Sequence, residues 1–247
     1  MIRLDQALVD RGLCESREKA KRAIMAGQVV VNGRPARKPS DAVQPDDQLT
    51  LTAGEKYVSR GGLKLEHTLQ AFALDVNGLT ALDLGASTGG FTDCLLQAGV
   101  KQVCAVDVGH GQLAWKLRRD RRVTVMEKTN ARHLTPDQFP KPFAPFDLVV
   151  ADCSFISLRK ILPAAVALLK PGGKIVALIK PQFEAGKVEA DRGAGVIRDP
   201  AIHERVLGEL REFVSAQPGM RWQQVTESPL FGPAGNKEFL ALIEKDR

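Results

Sequence analysis

Residues 80–91, TALDLGASTGGF, decide the fold of this chain. The apolar residues Ala81, Leu82 and Leu84 predict a short buried strand, and glycines then lead into the start of a helix. A strand that passes through a glycine-rich turn into a helix brings backbone N–H groups and a helix N-terminus to one point. The stretch therefore predicts a parallel α/β sheet with a ligand site at the carboxyl end of this strand.

The spacing of the glycines argues against a dinucleotide as the ligand. Ser87 stands where the fingerprint G-x-G-x-x-G has its second glycine, at which the backbone approaches a pyrophosphate. Asp107 lies at the end of the next predicted strand, residues 102–108, where an acid holds a ribose diol. A nucleoside without a phosphate bridge favours S-adenosylmethionine; the alternative is a glycine turn that only packs a helix on a strand. The predicted cofactor contacts are Asp83, Gly85, Ser87, Gly89, Gly90, Phe91, Asp107, Val108, Asn130 and Asp152.

The composition is that of a folded, basic protein. With 247 residues, 44% of them hydrophobic, the chain can form one large domain, or an ordinary domain and a small one. A net charge of +6 and a pI of about 9.2 indicate a polyanionic partner only weakly. The distribution is more informative: residues 11–38 contain eight Lys or Arg and two Glu, and residues 101–132 contain eight Lys or Arg and three acids.

The cysteines and the apolar runs indicate the compartment. The four cysteines form no C-x-x-C pair, so no metal site is expected. Free thiols in apolar patterns, as at Cys94 and Cys104, fit a reducing compartment. The first ten residues, MIRLDQALVD, lack the apolar core of a signal peptide, and no apolar run approaches the length of a membrane span. We therefore expect a cytoplasmic protein.

Residues 1–58 predict a small α+β domain. A helix with an apolar face is followed by a second, basic helix that begins after Ser16, a good N-cap. A strand then leads into Asn32-Gly33, a strong hairpin signal, and another strand is expected over residues 49–51. The two helices and the G-x-V-x-V-N-G hairpin at residues 27–33 resemble the S4 RNA-binding domain, in which such elements lie along RNA phosphates.

Residues 59–247 predict a second domain, because strands and helices alternate through residues 80–180. Five strands there and two later ones predict a mostly parallel, seven-stranded sheet of the Rossmann-like class I methyltransferase kind. Three local predictions accompany it. They are a hinge over residues 55–60, a break at Arg60-Gly61-Gly62 before a helix, and an end at Pro171-Gly172-Gly173 for a helix over residues 161–169.

The carboxyl ends of parallel strands meet in one crevice, so Asp107, Asp152 and Lys180 are expected to lie together. An enzyme that methylates an exocyclic amine usually has a proline pair after the acid of the fourth strand, and Asp152 is followed by Cys153 instead. Cys153 leaves open a base-carbon methyltransferase with a cysteine nucleophile. Transfer to a ribose oxygen would need a lysine beside the 2′-hydroxyl and carboxylates to hold the lysine. The candidate catalytic residues are Lys64, Asp152, Lys180 and Glu238.

The order of these four candidates resembles the catalytic tetrad of FtsJ-type ribose 2′-O-methyltransferases. Longer motifs are similar to the TlyA family, also labelled haemolysin A, which joins an S4-like domain to an FtsJ-like methyltransferase. These motifs are SRGGLKL (59–65), LDLGASTGGFTD (82–93), VDVGHGQLAWKLR (106–118), DCSFISLR (152–159), KPQFEAG (180–186) and GNKEF (235–239). The resemblance implies that the tetrad is catalytic and that the substrate is a cytidine 2′-hydroxyl in ribosomal RNA or a ribosomal subunit.

Basic side chains in both domains are candidates for RNA contacts. The predicted contacts are Arg3, Arg17, Lys21, Arg22, Arg60 and Arg118. For the basic run that contains Arg118, phosphate binding and a solvated helix face stay open as alternatives. Phosphate contacts would give affinity with little sequence information, so specificity would come from RNA shape and from flipping the target nucleotide into the crevice.

Three rival functions remain as alternatives. A membrane-active haemolysin is disfavoured, because the chain has no apolar span and its basic helix is poor in large apolar residues. A ribosome-assembly factor with an inactive methyltransferase fold is disfavoured by the intact glycines and the intact tetrad. A C5 base methyltransferase would depend on Cys153 as its nucleophile.

Overall fold

The computed structural model describes residues 1–52 and 56–247, with all of their side chains except those of Lys187 and Arg192. Two units follow each other along the chain, Met1–Lys56 and Tyr57–Arg247. The predicted boundary after residue 58 lies close to this division. The predicted hinge over residues 55–60 begins at Glu55, outside the described residues, and its remainder is a series of bends and a turn.

In the N-terminal unit, two helices pack on short strands. β1 (Ile2–Arg3) pairs with β4 (Ala42–Val43), and β2 (Val29–Val31) pairs with β3 (Arg34–Pro35) and with β5 (Leu49–Leu51), all antiparallel. The helices are α1 (Leu4–Asp10) and α2 (Arg17–Met25). Their buried faces meet in a small core whose members are Leu4, Ala7, Leu8, Ala20, Ala23, Ile24, Val29 and Val43.

The predicted helices and hairpin of this unit are confirmed. Ser16 caps α2, because its side chain accepts a hydrogen bond from the Lys19 backbone N–H at 3.3 Å. Asn32 and Gly33 have φ angles of 50° and 78°, as a two-residue turn between β2 and β3 requires. The strands β1 and β4 were not predicted, because two residues show no alternation of apolar and polar side chains.

Asp5 is a fully buried acid that joins β1 to the start of α2. Its Oδ1 accepts a hydrogen bond from Arg3 Nε at 3.0 Å, and its Oδ2 accepts bonds from Arg3 Nη2 at 2.9 Å and Arg17 Nη2 at 3.1 Å. The side-chain hydrogen bonds from Arg3, supported by Arg17, lower the pKa of Asp5 to about 2. The two arginine side chains are 50% and 48% exposed, so Asp5 fixes two guanidinium groups at the surface.

The second unit contains one large sheet. Its strands are β6 (Thr80–Leu84), β7 (Gln102–Val106), β8 (Val123–Met126), β9 (Phe146–Ala151), β10 (Leu169–Ile179), β11 (Met220–Glu227) and β12 (Phe239–Lys245). Its helices are α3 (Gly61–Ala71), α4 (Gly90–Gln97), α5 (Trp115–Arg118), α6 (Leu162–Ala167), α7 (Pro181–Glu184), α8 (Lys187–Arg192) and α9 (Pro200–Ser215). Short 3₁₀ turns occupy Ala131–His133, Pro136–Gln138 and Leu158–Lys160.

The strand order in the sheet is β11-β12-β10-β9-β6-β7-β8. Strands β6 to β10 pair in parallel, and β12 is antiparallel to both of its neighbours, β10 and β11. The predicted mostly parallel, seven-stranded sheet is therefore confirmed. The chain runs outward from β6 through β7 to β8 and then returns to place β9 on the other side of β6, so the switch point lies between β6 and β9.

Side chains that alternate along the strands build a separate core on each face of the sheet. Leu82 and Val149 belong to the core that α6 and α9 cover, and Ala81 and Val150 belong to the core that α3 and α4 cover. Each fully buried Leu, Ile or Val contributes about 1.5–3 kcal/mol by leaving water. Both faces of the central strands are thus buried, as expected of a parallel sheet between helices.

Two local predictions were wrong, one because of close packing and the other because of an irregularity in the sheet. Gly61 and Gly62 do not break the chain but lie in the first turn of α3, where a Cβ on Gly62 would stand 2.2 Å from Tyr57 Cγ. Pro171-Gly172-Gly173 does not end a helix, because α6 already ends at Ala167 and these residues lie inside β10. The register between β10 and β9 shifts between Leu169 and Lys174, which accommodates them as an irregularity.

Two kinds of feature are absent from the described residues. None of the helices there combines the length and the apolar character that crossing a bilayer requires. In the same part of the chain, His, Cys, Asp and Glu side chains nowhere gather in a group of three that could hold a metal ion.

Replacing Asp5 with Asn should destabilise the N-terminal unit by about 1–3 kcal/mol, because two guanidinium groups lose a buried charged acceptor. Amide hydrogen exchange over residues 2–31 measures the effect. The pKa of Asp5 is lowered to about 2 in the fold, so its contribution is complete above about pH 4 and is lost as the pH falls towards 2.

The matched control for this substitution is Glu15→Gln, which removes an exposed contact with Lys19 and should change protection very little. Equal protection in Asp5→Asn and wild type at pH 7 would show that Asp5 does not hold the unit together.

Candidate active site

Two cavities meet at the carboxyl ends of the parallel strands. The first has a volume of about 280 Å³, and we call it the tetrad cavity because all four candidate catalytic residues line it. The second has a volume of about 420 Å³ and includes Asp107, and we call it the Asp107 cavity. The residues that line both are Gly85, Ser87, Asp152 and Ser154. The cavities are therefore two parts of one crevice at the switch point of the sheet.

The tetrad forms two contacts between a lysine and a carboxylate. Lys180 Nζ lies 2.6 Å from Asp152 Oδ1 and donates a hydrogen bond to Ser154 Oγ at 2.8 Å. Lys64 Nζ contacts Glu238 Oε2. Lys64, Lys180 and Glu238 are all buried, and Glu238 is only 1% exposed. Each buried ammonium group therefore has a carboxylate that offsets part of its desolvation.

Four different elements bring the tetrad together. Asp152 follows β9, and its backbone N–H donates to Leu84 O at 2.9 Å across the switch point. Lys180 directly follows β10, and Glu238 directly precedes β12, the antiparallel neighbour of β10. Lys64 reaches the same cavity from the first turns of α3. The predicted meeting of strand ends is thus observed, and α3 adds a residue that no strand carries.

The glycines of residues 85–90 allow close approaches on both sides of the turn. Gly85 has a φ of +82°, and a Cβ there would stand 2.6 Å from Asp152 O. Gly89, at the N-cap of α4, has a φ of 98°. A Cβ on Gly90 would lie 2.3 Å from Ser59 Oγ and 2.9 Å from the Gly62 backbone nitrogen. The turn therefore brings the ends of β6 and β9 close to α3, with no space for a Cβ at Gly85 or Gly90.

Asp83 lies beneath this turn and lines neither cavity. It is fully buried, and its Oδ2 accepts a hydrogen bond from Thr92 Oγ1 at 2.6 Å. Burial raises the pKa of Asp83 to about 7, and the Thr92 hydroxyl opposes the shift. Asp83 therefore supports the start of α4 through Thr92. Its predicted contact with a cofactor stays a prediction.

Asp107 is fixed between two loops. Its Oδ2 accepts a hydrogen bond from the Ser87 N–H at 2.8 Å, and its Oδ1 accepts one from the Gly109 N–H at 2.7 Å. Val108 and Asn130 line the same cavity, and both are exposed. Asn130 also caps a 3₁₀ turn by accepting the Arg132 N–H at 3.0 Å. These three predicted contacts therefore lie together around the Asp107 cavity, and Gly90 and Phe91 line the tetrad cavity instead.

Glu127, which was not predicted, organises the loop between β7 and α5. Its carboxylate accepts the backbone N–H groups of Gly111 at 2.7 Å and Gln112 at 3.1 Å, and it contacts the Arg118 guanidinium. Hydrogen bonds from the loop backbone, Gly111 first, lower the pKa of Glu127 to about 2, although burial opposes this. Arg118, a predicted RNA contact, also donates its Nε to Leu113 O at 3.1 Å and is thus engaged within the fold.

The other predicted RNA contacts lie in three places. Arg3 and Arg17 are held at Asp5, and Lys21 makes an ion pair with Glu18 at 2.8 Å. Arg22 is exposed on α2. Arg60 lines the tetrad cavity with Ser59. Contacts with Asp5 thus fix the side chains of Arg3 and Arg17, and Arg60 lies at the tetrad cavity. For Arg22, the structure shows only an exposed position on the basic helix α2.

Cys153 lines the Asp107 cavity and is absent from the tetrad cavity. Its Sγ lies 3.5 Å from Leu84 O. Burial, reinforced by the nearby Asp152 carboxylate, raises the pKa of Cys153 to about 12. A thiol with such a pKa is almost entirely protonated at neutral pH, so the environment opposes its use as a nucleophile.

Sequence reasoning missed several residues that line the crevice. They include Ser59, Thr88, Gln112, Thr129, Ser154, Phe155 and Pro233. Ser154 follows Asp152 by two positions, and a hydroxyl so close to a strand-end acid was an available signal. Phe155 is 89% exposed, and its ring lies 5.1 Å from that of Phe183. No local pattern predicted that an aromatic ring would stand exposed there.

Lys64→Met should lower the free energy of unfolding by about 3–5 kcal/mol, because the buried Glu238 carboxylate loses its cation. The double variant Lys64→Met/Glu238→Gln should lose less than Lys64→Met alone, because it removes the unpaired charge as well. Urea denaturation of the full chain measures both.

Lys237→Met removes an exposed contact with Glu227 and, as the control, should change stability by less than about 1 kcal/mol. Equal losses in the single and double variants would mean that the two charges are not coupled.

Comparison with known proteins identifies the family. The family model described as FtsJ-like methyltransferase matches residues 57–245, and that of the S4 domain matches residues 2–49. A relative from Mycobacterium tuberculosis (strain ATCC 25618 / H37Rv), named 16S/23S rRNA (cytidine-2′-O)-methyltransferase TlyA, is 48% identical over 240 residues, which cover 96% of this chain and 87% of the relative.

Two further similarities agree with this assignment. Hemolysin A of Brachyspira hyodysenteriae is 41% identical over 241 residues, with 97% of this chain and 98% of the relative covered. The solved structure of a presumed hemolysin from Streptococcus thermophilus superposes with a TM-score of 0.75 at 46% identity and covers 99% of this chain and 88% of that chain. The chain belongs to the TlyA family, in which an S4 domain precedes an FtsJ-like methyltransferase domain.

Proposed function

We propose that this protein transfers the methyl group of S-adenosylmethionine to the ribose 2′-hydroxyl of a cytidine in ribosomal RNA. The observation that carries the proposal is the pair of lysine–carboxylate contacts in the tetrad cavity, beside a second cavity suited to a nucleoside. Membership of an FtsJ-like methyltransferase family supports methyl transfer. The choice of a cytidine in ribosomal RNA rests on the name of the Mycobacterium tuberculosis relative.

The residues of the Asp107 cavity fit S-adenosylmethionine. The Asp107 carboxylate suits a ribose diol, and the apolar side chains of Val108, Ile156 and Ile161 suit the face of an adenine. None of the described residues that line this cavity is Lys or Arg, which a pyrophosphate would favour, whereas Asp152, which also lines the tetrad cavity, suits a sulfonium cation. When bound there, S-adenosylmethionine supplies an electrophilic methyl group.

The two lysines would act on the hydroxyl that accepts the methyl group. Asp152 and Ser154 orient the Lys180 ammonium group, and Glu238 orients that of Lys64. A positive charge beside the 2′-hydroxyl stabilises the alkoxide and eases loss of its proton. In the transfer the hydroxyl proton would pass to solvent water, the oxygen would gain the methyl group, and the donor would leave as S-adenosylhomocysteine. Holding the oxygen in line with the methyl group supplies much of the remaining rate enhancement.

The N-terminal unit would supply affinity for RNA. Asp5 holds the half-exposed guanidinium groups of Arg3 and Arg17 in fixed positions, and Lys21 and Arg22 add charge along α2. Guanidinium and ammonium groups bind RNA phosphates with little regard to sequence. The match of residues 2–49 to the S4 domain supports this role.

Lys180→Ala should lower methyl transfer about 10²–10⁴-fold, because the 2′-hydroxyl loses the ammonium group beside it. The assay follows labelled methyl transfer to ribosomal subunits and to free ribosomal RNA, with nucleoside mass spectrometry of the product. Wild type should yield 2′-O-methylcytidine. Lys237→Ala, at a partly exposed lysine outside both cavities, is the control and should transfer normally.

Two results of this assay would overturn the proposal. A methyl group on the base would show that the tetrad does not catalyse transfer to the ribose hydroxyl. No transfer by wild type, in a protein that still binds S-adenosylmethionine, would favour an assembly factor with an inactive methyltransferase fold.

Cys153→Ser should retain methyl transfer within a few-fold of wild type, because the thiol is protonated and lines the Asp107 cavity. The measurement is the same transfer assay, together with the affinity for S-adenosylmethionine by calorimetry. Loss of transfer with unchanged cofactor affinity would instead support a cysteine nucleophile and methylation of a base carbon.

A further inference from the structure

A tryptophan and two arginines stand exposed on the segment after Asp107. Trp115 begins α5 and is 70% exposed, although large aromatic side chains are usually mostly buried. The guanidinium carbon of Arg119 lies 5.9 Å from the centroid of the Trp115 ring. Arg119 and Arg121 are both exposed. We call these three residues, Trp115, Arg119 and Arg121, the Trp115 platform.

The platform differs from the rest of its basic run, because its arginines form no close ion pair with the described residues, although the charge of Arg121 helps to lower the pKa of Asp120. The three other basic residues of the run make ion pairs: Lys116 with Asp93, Arg118 with Glu127, and Arg122 with Asp120. Arg119 and Arg121 make no ion pair within 4.0 Å among the residues that the structure describes. The fold therefore leaves two guanidinium groups and one indole ring for an external partner.

The platform is attached to the glycine turn of the crevice. The Ala114 N–H, one residue before Trp115, donates to Thr88 O at 3.1 Å, and Thr88 lines the tetrad cavity. Leu113 and Leu117 pack so closely on Gly89 that a Cβ there would stand 2.8 Å and 2.2 Å from their methyl carbons. Trp115 is thus held between two anchored positions, one residue after Ala114, which is bonded to a residue that lines the tetrad cavity.

We propose that the Trp115 platform binds the single-stranded RNA that flanks the target nucleotide. An exposed indole stacks on the face of an unpaired base, and a duplex does not offer such a face. Exposed guanidinium groups bind the phosphates on either side of that base. The proposal rests on the proposed function, because it assigns the strand on which the methylated ribose lies. It also separates the basic run into internal ion pairs and an RNA-binding part.

The chain has two tryptophans, so a Trp222→Phe variant of the full protein leaves Trp115 as the fluorescent reporter. Titration with a single-stranded oligocytidylate of about ten nucleotides should quench this fluorescence by stacking. A duplex of the same length should quench it far less, although it carries about twice as many phosphates. Equal quenching by both, or none, would overturn the proposal. Quenching that depends on protein concentration without RNA would assign the platform to contact between two copies of the chain.

Trp115→Ala should raise the KM for ribosomal RNA about 5- to 150-fold, while kcat at saturating RNA and the affinity for S-adenosylmethionine stay close to wild type. Trp115→Phe should restore most of the loss, because phenylalanine also stacks. Arg119→Ala and Arg121→Ala should each reduce the salt dependence of RNA binding by about 0.7 in log–log slope. Arg211→Ala is the matched control, since Arg211 lies 5.9 Å from the Trp222 ring in the same geometry, and it should change neither value.

The outcomes separate this proposal from the function on which it rests. If wild type makes 2′-O-methylcytidine and Trp115→Ala has an unchanged KM, the proposed RNA-binding role of the platform is wrong and the proposed function stands. If wild type makes no such product, the proposed function is wrong, and selective quenching by single-stranded RNA still reports on the platform. A loss of S-adenosylmethionine affinity in Trp115→Ala would show that the residue only supports the glycine turn.

Discussion

The crevice depends on how closely two loop backbones approach each other at the switch point of the sheet. The approach of Gly85 to Asp152 O leaves no room for a Cβ, and the Asp152 N–H is bonded to Leu84 O. The ends of β6 and β9 are thereby fixed at hydrogen-bond distance, and the Asp152 side chain emerges where the two cavities meet. Any larger residue at position 85 would separate these loops and move the carboxylate away from Lys180.

Charge compensation makes the buried site possible. Asp83 shows what the interior does to an acid that has only a hydroxyl partner, because its pKa is raised to about 7 by burial. Glu238 is buried to a similar degree but touches the Lys64 ammonium group, and Lys180 touches Asp152. The site therefore keeps two ammonium groups in a poorly solvated place, where a charge acts more strongly on a neighbouring hydroxyl than it would in water.

Local signals predicted much of the fold, and long-range contacts account for what they missed. The cap at Ser16, the turn at Asn32-Gly33 and the strand of residues 80–84 each depend on neighbours in the sequence, and all three are observed. The meeting of Asp152 and Lys180 also followed from the rule that the ends of parallel strands converge, whereas Lys64 reaches them from α3 and Glu238 from the start of β12. The catalytic roles of all four stay a prediction.

The sequence-based predictions were wrong or incomplete where residues far apart in the sequence determine the local structure. Gly61-Gly62 looks like a break in isolation, but the ring of Tyr57 makes small residues necessary there. The two arginine partners of Asp5 and the loop contacts of Glu127 join residues that no periodic pattern relates. Sequence reasoning therefore predicted charged residues that the structure brings together in one crevice, but not the residues that hold them in place.

The residues that line the two cavities span very different lengths of the sequence. Every residue that lines the Asp107 cavity lies between Gly85 and Ile161, whereas Lys64 meets its carboxylate 174 residues further along, just before β12. During synthesis, which proceeds from the N-terminus, all residues of the Asp107 cavity leave the ribosome well before the final strand. The tetrad cavity is completed last, when β12 enters the sheet and carries Glu238 to Lys64. A nascent chain would thus contain every residue of one half of the crevice before the other half could form.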